Sequence, residues 1–314
     1  MPVAIMAHNE EKVVKRAVAS VLDQRVPFGY AVRATVVTNG CTDGTESIVS
    51  EMARIHPGKV ELVSLREKGK TRAINETIRH LDNLVNCGVL IPYVIFLDAD
   101  CEFAEHYALE RFLQCFEENP LLCAIGAHCL PDVLYDDGRR DVVAKTYRAI
   151  YRFRDSLEVN SISGMCYGIR FDVAKRMEFP EFQFAEDMFA ASRLDGYFLQ
   201  DKRVEVTFKT PCSVMDEIGR RTRQSVSTQR YHDYYSLLKR KGPVKLIPGT
   251  LGERYRWKGA GVNASLRAWL RMKGFRNKAY VLNYVIIRVI AKTGSYFKIR
   301  RINRKAFDYW RVSR

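Results

Sequence analysis

The stretch that most constrains the fold is residues 93–100, an apolar run from Tyr93 to Leu97 followed by Asp98, Ala99 and Asp100. Its length and composition are typical of a buried strand. Because desolvating a carboxylate is costly, we expect Asp98 and Asp100 to lie just past the carboxyl end of that strand, on one side. Open α/β sheets bind their ligands at that end, and two carboxylates suit a divalent cation that also holds a diphosphate. An Asx turn that ends the strand would have the same sequence, so these eight residues leave both interpretations open.

Strand-like and helix-like patterns alternate along the chain. We predict strands at 2–7, 31–38, 59–65, 93–97, 121–129 and 161–170. We predict a helix directly after the first strand and others at 46–55, 104–117, 142–154 and 224–241. The alternation indicates βαβ units and a largely parallel sheet. Asn9 is predicted to cap the first helix, with Glu10 and Glu11 in its first turn.

Polar residues that suit ligand binding follow several of these elements. Residues 39–45 are turn-forming, and Lys68 and Lys70 lie at a loop-to-helix junction that suits phosphate, although solvated lysines would look alike. Gly164 lies within a predicted strand, where glycine often marks close approach of a ligand or backbone. Glu186 and Asp187 open a helix among aromatic residues, and an acidic first turn explains them as well as a catalytic pair does.

The order of these pieces is more specific than any one of them. They are, along the chain, residues 7–11, 39–45 and 68–75, then Asp98-Ala99-Asp100, Gly164 and the pair Glu186 and Asp187. This order resembles the family 2 inverting glycosyltransferases of the GT-A fold, over roughly residues 1–240. The resemblance implies an α/β GT-A domain over 1–240, with a Rossmann-like, mostly parallel central sheet flanked by helices. Residues 241–314 would form a basic helical C-terminal extension.

The resemblance also implies roles for the matching residues. The donor nucleotide would be bound by residues after the first, second and fourth strands and at the loop-to-helix junction of Lys70. These residues are Ala7, Asn9, Glu11, Asn39, Asp43, Lys70, Asp98 and Ala99. Among them, Asp43 would reach the uracil or ribose, Lys70 with Lys68 would lie near the base or diphosphate, and Asp98 would hold ribose or metal. Asp100 would coordinate Mg²⁺ or Mn²⁺ on the diphosphate.

The chemistry of transfer fits these residue types. A divalent cation neutralises the leaving diphosphate, and one carboxylate takes the proton of the acceptor hydroxyl. The resemblance gives that task to Asp187, with Glu186 as its companion.

The sequence departs from the family pattern at two places. Asn39 replaces the usual acidic residue, so Asp43 would carry more of the base recognition. The Gln-x-x-Arg-Trp motif of processive synthases is missing; the nearest segment is 227–231, Ser-Thr-Gln-Arg-Tyr. The sequence also lacks apolar runs long enough for the transmembrane helices of those synthases, so we expect addition of one sugar or a few. By family habit, the resemblance implies UDP as the donor nucleotide, with GDP and dTDP as alternatives.

The last third of the chain is strongly basic. Residues 201–314 contain 28 Lys and Arg against 7 Asp and Glu, whereas residues 1–200 carry a net charge of −6. This imbalance indicates a polyanionic partner, for which we favour an anionic membrane surface bound by basic amphipathic helices at 264–273 and 278–292. A plain packing extension that happens to be basic remains the alternative.

Two other functions compete with transfer to a hydroxyl. A polyprenyl-phosphate sugar synthase shares the early motifs but needs no base, because its acceptor is already an anion. The pair Glu186 and Asp187 therefore favours a hydroxyl-bearing acceptor, including a lipid-linked one. The basic last third of the chain keeps a lipid phosphate as the alternative acceptor. A nucleic-acid-binding protein would use the basic third, where tyrosines interleave with arginines, but no recognised nucleic-acid motif supports it.

Compartment is predicted from the N terminus and the cysteines. Met1 stands directly before the first predicted strand, so we expect no signal peptide. None of the eight cysteines forms a CxxC pair, so we expect reduced thiols and no structural zinc. The expected location is cytoplasmic, with membrane association at the cytoplasmic face.

Overall fold

The structure, a computed structural model, describes residues 1–135, 138–155, 161–181, 184–194, 197–241, 269, 274 and 277–293. The strands are β1 (Pro2–Ala7), β2 (Arg33–Asn39), β3 (Val60–Leu65), β4 (Tyr93–Asp98), β5 (Cys101–Phe103), β6 (Ala124–Pro131), β7 (Cys166–Arg170) and β8 (Phe198–Phe208). The helices are α1 (Val14–Leu22), α2 (Thr45–Ile55), α3 (Lys70–Asn86), α4 (Ala108–Glu118), α5 (Val142–Asp155), α6 (Phe171–Ala174), α7 (Glu186–Arg193), α8 (Val214–Lys241) and α9 (277–293).

One sheet of eight strands, in the order β3-β2-β1-β4-β7-β6-β8-β5, forms the centre of the fold. The strands β3, β2, β1 and β4 are parallel and joined by helices, as the alternating sequence predicts. Residues of β1 and β4 are buried almost throughout, because helices cover both faces of a parallel sheet. β7 pairs antiparallel with both β4 and β6, and β5 pairs antiparallel with β8. The predicted α/β fold, with a largely parallel central sheet flanked by helices, is therefore confirmed.

Two strands were not predicted from the sequence. β5 has only three residues, and the helix that follows it, α4, begins at Ala108 and not at the predicted residue 104. β8 is interrupted by charged residues, which conceal its apolar alternation. One of them, Asp201, is buried, and the guanidinium of Arg203 pairs with it at 2.8 Å.

The prediction that Asn9 caps the first helix is wrong. α1 begins at Val14, and Asn9 adopts a left-handed backbone with φ of 59°, which asparagine tolerates better than most residues. The backbone N–H groups of Val13 and Val14 bond instead to the carbonyl of Glu10. The carboxamide of Asn9 is thereby free to bond elsewhere, at the second-strand turn.

The described chain forms two compact units. The first contains the sheet and comprises 1–130 and 159–209; the second includes 131–158, 210–242 and α9. In the second unit, α9 packs through Val281 on Ala149 and Ile150 of α5. The predicted boundary at residue 240 stays a prediction.

The predicted C-terminal helices differ in what the structure describes of them. The helix at 278–292 is present as α9, whereas the one at 264–273 lies outside the described residues except for 269. None of the helices in the described ranges is long and apolar enough to cross a membrane.

Candidate functional site

The loops after β1 and β2 are joined by hydrogen bonds from Asn9. The backbone N–H of Thr42 donates to Asn9 Oδ1 at 2.8 Å, and Asn9 Nδ2 donates to Thr42 Oγ1 at 3.2 Å. β1 and β2 are parallel, so their carboxyl ends lie at one edge of the sheet. The left-handed turn at Asn9 thus closes one wall of the site.

Glu11 and Asp43 extend the same wall. The backbone N–H of Glu11 donates to Asp43 Oδ2 at 3.2 Å, and the N–H of Gly44 donates to Glu11 Oε2 at 2.9 Å. Asp43 also accepts from the backbone N–H and the hydroxyl of Thr45. Although burial opposes it, hydrogen bonding from Thr45 and Glu11 lowers the pKa of Asp43, so this carboxylate is ionised at neutral pH.

Asn39 is buried and uses both ends of its amide within the protein. Its Nδ2 donates to the carbonyl of Ala7 at 2.9 Å, and its Oδ1 accepts from the N–H of Gly69 at 3.2 Å. Asn39 therefore joins the end of β1 to the loop before α3. Lys68, in the same loop, is exposed.

Lys70, the first residue of α3, connects the two carboxylate motifs. Its Nζ lies 2.6 Å from Asp98 Oδ1, 2.6 Å from Glu186 Oε1 and 2.6 Å from the carbonyl oxygen of Gly164. Three acceptors match the three N–H donors of an ammonium group. Burial alone would lower the pKa of Lys70, but the two carboxylates hold it well above its usual value. Burial raises the pKa of Asp98 to about 7, although Lys70 opposes that rise.

Asp187 lies beside this cluster and is held by backbone groups. The N–H of Met188 donates to Asp187 Oδ1 at 2.8 Å, and the N–H of Gly164 donates to Oδ2 at 3.3 Å. Burial, and after it the charge of Glu186, raise the pKa of Asp187 to about 6. A Cβ on Gly164 would lie 2.6 Å from Glu186 Oε1, so a larger residue there would displace the carboxylate that bonds to Lys70.

Asp100 follows β4 by two residues, and its backbone carbonyl accepts from the N–H of Lys209 at 3.2 Å. The sequence analysis missed its neighbour Glu10, whose pKa is raised to about 7 by burial and then by the charges of Asp100 and Asp43. The sequence signal was the acidic pair Glu10 and Glu11, which begins three residues after β1 and which we wrongly assigned to the first turn of a helix. Ala99 is buried, and its N–H bonds to the carbonyl of Met6 on β1.

The oxygen ligands near Asp100 fit a nucleotide-bound Mg²⁺ or Mn²⁺. Such ions are commonly held by one or two carboxylates together with substrate phosphates. After burial, the charge of Asp100 contributes to the raised pKa of Glu10, and a bound cation would offset that repulsion. In the described part of the chain, no group of three or more His, Cys, Asp or Glu side chains is arranged to hold a metal ion by itself.

A family model described as glycosyl transferase family 2 matches residues 3–177, more than half of the 314 residues. The chain belongs to this family. No curated protein matches it. The family 2 match includes Lys70, Asp98 and Asp100 but ends before Glu186 and Asp187, whose roles the match leaves untested.

Solved structures of similar fold extend the comparison. The mannosyltransferase PcManGT from Pyrobaculum calidifontis, in complex with GDP-Man and Mn²⁺, is 18% identical, with a TM-score of 0.56 over 98% of this chain and 82% of that one. TarS from S. aureus, residues 1–349, is 15% identical, with a TM-score of 0.48 over 72% of this chain and 64% of that one. GalNAc-T7 with UDP, GalNAc and Mn²⁺ is 14% identical, with a TM-score of 0.48 over 66% and 42%.

A second residue missed from the sequence of this family 2 chain is Tyr167 on β7. It is fully buried, and its hydroxyl has no hydrogen-bond partner among the residues that the structure describes. Burial, and next the charge of Glu186, raise the pKa of Tyr167. The sequence signal is its position between Gly164, which precedes β7, and Gly168, which lies in it.

Proposed function

We propose that the protein is a metal-dependent inverting glycosyltransferase that moves a sugar from a nucleotide-sugar to an acceptor hydroxyl, with Asp187 as general base. The observation that carries this proposal is the ammonium of Lys70, which bonds at 2.6 Å both to Asp98, in the donor motif, and to Glu186, next to Asp187. Donor-binding and proton-accepting groups are thereby held as one cluster.

The contacts of the two acidic residues on α7 favour Asp187 over Glu186 as the base. Glu186 is 9% exposed and its Oε1 is bonded to Lys70, which makes it a positioning residue. Among the residues that the structure describes, Asp187 accepts hydrogen bonds only from the backbone N–H groups of Gly164 and Met188. A pKa of about 6 leaves Asp187 ionised at neutral pH yet basic enough to accept a proton.

The proposed reaction transfers one proton and one glycosyl group. The acceptor hydroxyl gives its proton to Asp187 while its oxygen bonds to the anomeric carbon. The bond from that carbon to the donor phosphate oxygen breaks, the nucleoside diphosphate leaves with the electron pair, and the anomeric configuration inverts. Asp100, with Glu10 beside it, would hold the cation, which when bound neutralises charge on the diphosphate.

The nucleotide side of the proposal rests on the loops after β1 and β2. Asn9, Glu11 and Asp43 belong to one hydrogen-bonded wall there. Asn39 anchors the end of β1 beside this wall by donating to the carbonyl of Ala7. UDP is our preferred nucleotide. The mannosyltransferase of similar fold was solved with GDP-Man and Mn²⁺, which supports a divalent cation and keeps GDP as the second candidate.

The test combines binding and turnover. Thermal shifts with UDP-, GDP- and dTDP-sugars, each with and without Mn²⁺, identify the donor. With that donor, Asp187→Asn should lower kcat by about a thousandfold while the donor Kd stays within about twofold. The wild-type kcat/KM should fall below about pH 6 as Asp187 becomes protonated.

Asp100→Asn is the matched control, because it removes one carboxylate from the donor side. It should weaken Mn²⁺-dependent donor binding and leave metal-free binding nearly unchanged. Turnover of Asp187→Asn near the wild-type rate on a hydroxyl acceptor would rule out Asp187 as the base. Near-normal turnover on polyprenyl phosphate would instead favour the synthase alternative, whose acceptor needs no base.

A further inference from the structure

α9 presents two different faces. Val281, Ile287 and Ala291 are buried, and Val281 packs on α5. The opposite side exposes five large aliphatic residues, each between 48 and 60% exposed: Leu282, Val285, Ile286, Val289 and Ile290. Their spacing of three and four residues places them side by side along the helix. We call these five residues the outward face of α9.

The charged residues of α9 all have the same sign. Residues 277–293 contain Lys278, Arg288 and Lys292 and no acidic residue. Lys278 lies 5.4 Å from the ring centre of Trp269, and Arg288 lies 5.8 Å from that of Tyr284. The whole segment 201–314 carries a net charge of +21. A partner for this face must therefore offer apolar surface and negative charge together.

The burial of α9 decides how it would meet such a partner. Its described part, 277–293, spans about 25 Å at 1.5 Å per residue, and one side of it is already buried in the protein. A helix with one apolar outward side and basic flanks is typical of segments that lie in the plane of a membrane interface.

We propose that the outward face of α9 inserts into the surface of an anionic lipid bilayer, with the helix parallel to the membrane and its basic residues at the headgroups. A second copy of this chain is a poorer partner, because a symmetric contact would bring two basic surfaces together. The negative surface of a bilayer supplies the complementary charge, and its acyl region accepts aliphatic side chains without a shaped pocket. This inference stands apart from the proposed transfer reaction.

The experiment measures flotation of the full chain with vesicles of phosphatidylcholine alone or mixed with phosphatidylglycerol. The variant Val285→Gln, Ile286→Gln, Val289→Gln removes apolar side chains while keeping helix propensity. It should bind mixed vesicles about tenfold more weakly than the wild type. Replacing the same three residues by Leu should preserve binding, since hydrophobicity rather than shape is required.

The matched control is Phe28→Gln, Val89→Gln, Leu90→Gln, which alters exposed apolar residues of the other unit. It should float like the wild type. Wild-type binding should weaken with added salt and be lower on phosphatidylcholine alone.

Equal flotation of the Gln variant and the wild type would overturn the proposal. A lower mass of the Gln variant in light scattering, with unchanged flotation, would show instead that the face joins two copies. Hydrogen exchange on the unmodified chain provides a check that needs no variant: mixed vesicles should slow exchange across 277–293, and no slowing would refute insertion. Neither assay requires turnover, so these results are independent of the glycosyl-transfer test.

Discussion

Replacing Lys70 with methionine tests the cluster at the centre of the site. The substitution keeps an aliphatic side chain of similar length but removes the ammonium that lies 2.6 Å from both Asp98 and Glu186. Those carboxylates are 25% and 9% exposed, so water compensates little for the lost cation. Removing one partner of a buried ion pair typically costs about 3 to 5 kcal/mol. Since the Lys70 side chain is itself 31% exposed, we expect about 2 to 4 kcal/mol at pH 8.

The loss of stability in Lys70→Met should depend on pH. The pKa of Asp98 is raised to about 7, so Asp98 is ionised at pH 8 and becomes protonated as the pH falls through 7. A protonated Asp98 has little need of the cation, and the stability deficit of Lys70→Met should therefore shrink between pH 8 and pH 5.5. Urea denaturation followed by fluorescence at both pH values measures that difference.

Two further variants complete the test. Adding Glu186→Gln to Lys70→Met removes one of the unpaired charges and should restore part of the stability. Lys175→Met is the matched control, because Lys175 pairs with Asp82 at 3.1 Å where both side chains are 39% exposed. That surface pair should contribute less than about 1 kcal/mol. A deficit for Lys70→Met that is equally small, or that does not change with pH, would refute the reasoning.

Two more substitutions, together with one control, test the close packing around the cluster. Gly164→Ala places a Cβ 2.6 Å from Glu186 Oε1 and should lower kcat/KM at least tenfold in a transfer assay. Gly219→Ala is the control, because its Cβ meets nothing within 4 Å. It should stabilise α8 by about 0.5 to 1 kcal/mol in urea denaturation. Unchanged activity of Gly164→Ala would show that the loop can shift. Tyr167→Phe removes a buried hydroxyl without a partner in the described part of the chain, so stability should stay within about 1 kcal/mol of the wild type; a larger loss would reveal a bonded hydroxyl.

The sequence was most informative where local chemistry fixes structure. The apolar run of β4 predicted a buried strand, and the motif order predicted the family and the GT-A fold. β8 was missed because Asp201 is buried only with the help of Arg203, a compensation that no apolar pattern reveals. The role of Asn9 was misjudged for a related reason, since its bonds go to Thr42 on a distant turn rather than to the adjacent helix.

The position of Lys70 shows what sequence order leaves undetermined. Its place at the start of α3 indicated phosphate binding, but nothing local indicated that its ammonium would meet Glu186. That contact depends on Gly164, whose carbonyl also accepts from Lys70 and whose missing side chain admits the Glu186 carboxylate. Contacts of this kind are set by tertiary structure.

The direction of β7 explains how these groups reach one edge of the sheet. β7 is antiparallel to β4, with Cys166 opposite Leu97, so the segment that precedes β7 lies at the carboxyl end of β4. The backbone N–H of Asp98 accordingly bonds to the carbonyl of Met165 at 2.9 Å. In a parallel arrangement, residues after Arg170 would occupy that edge and Gly164 would lie at the opposite one. The change from parallel to antiparallel pairing after β4 is thus what brings the loop of Gly164, and with it Glu186 and Asp187, to the donor motif.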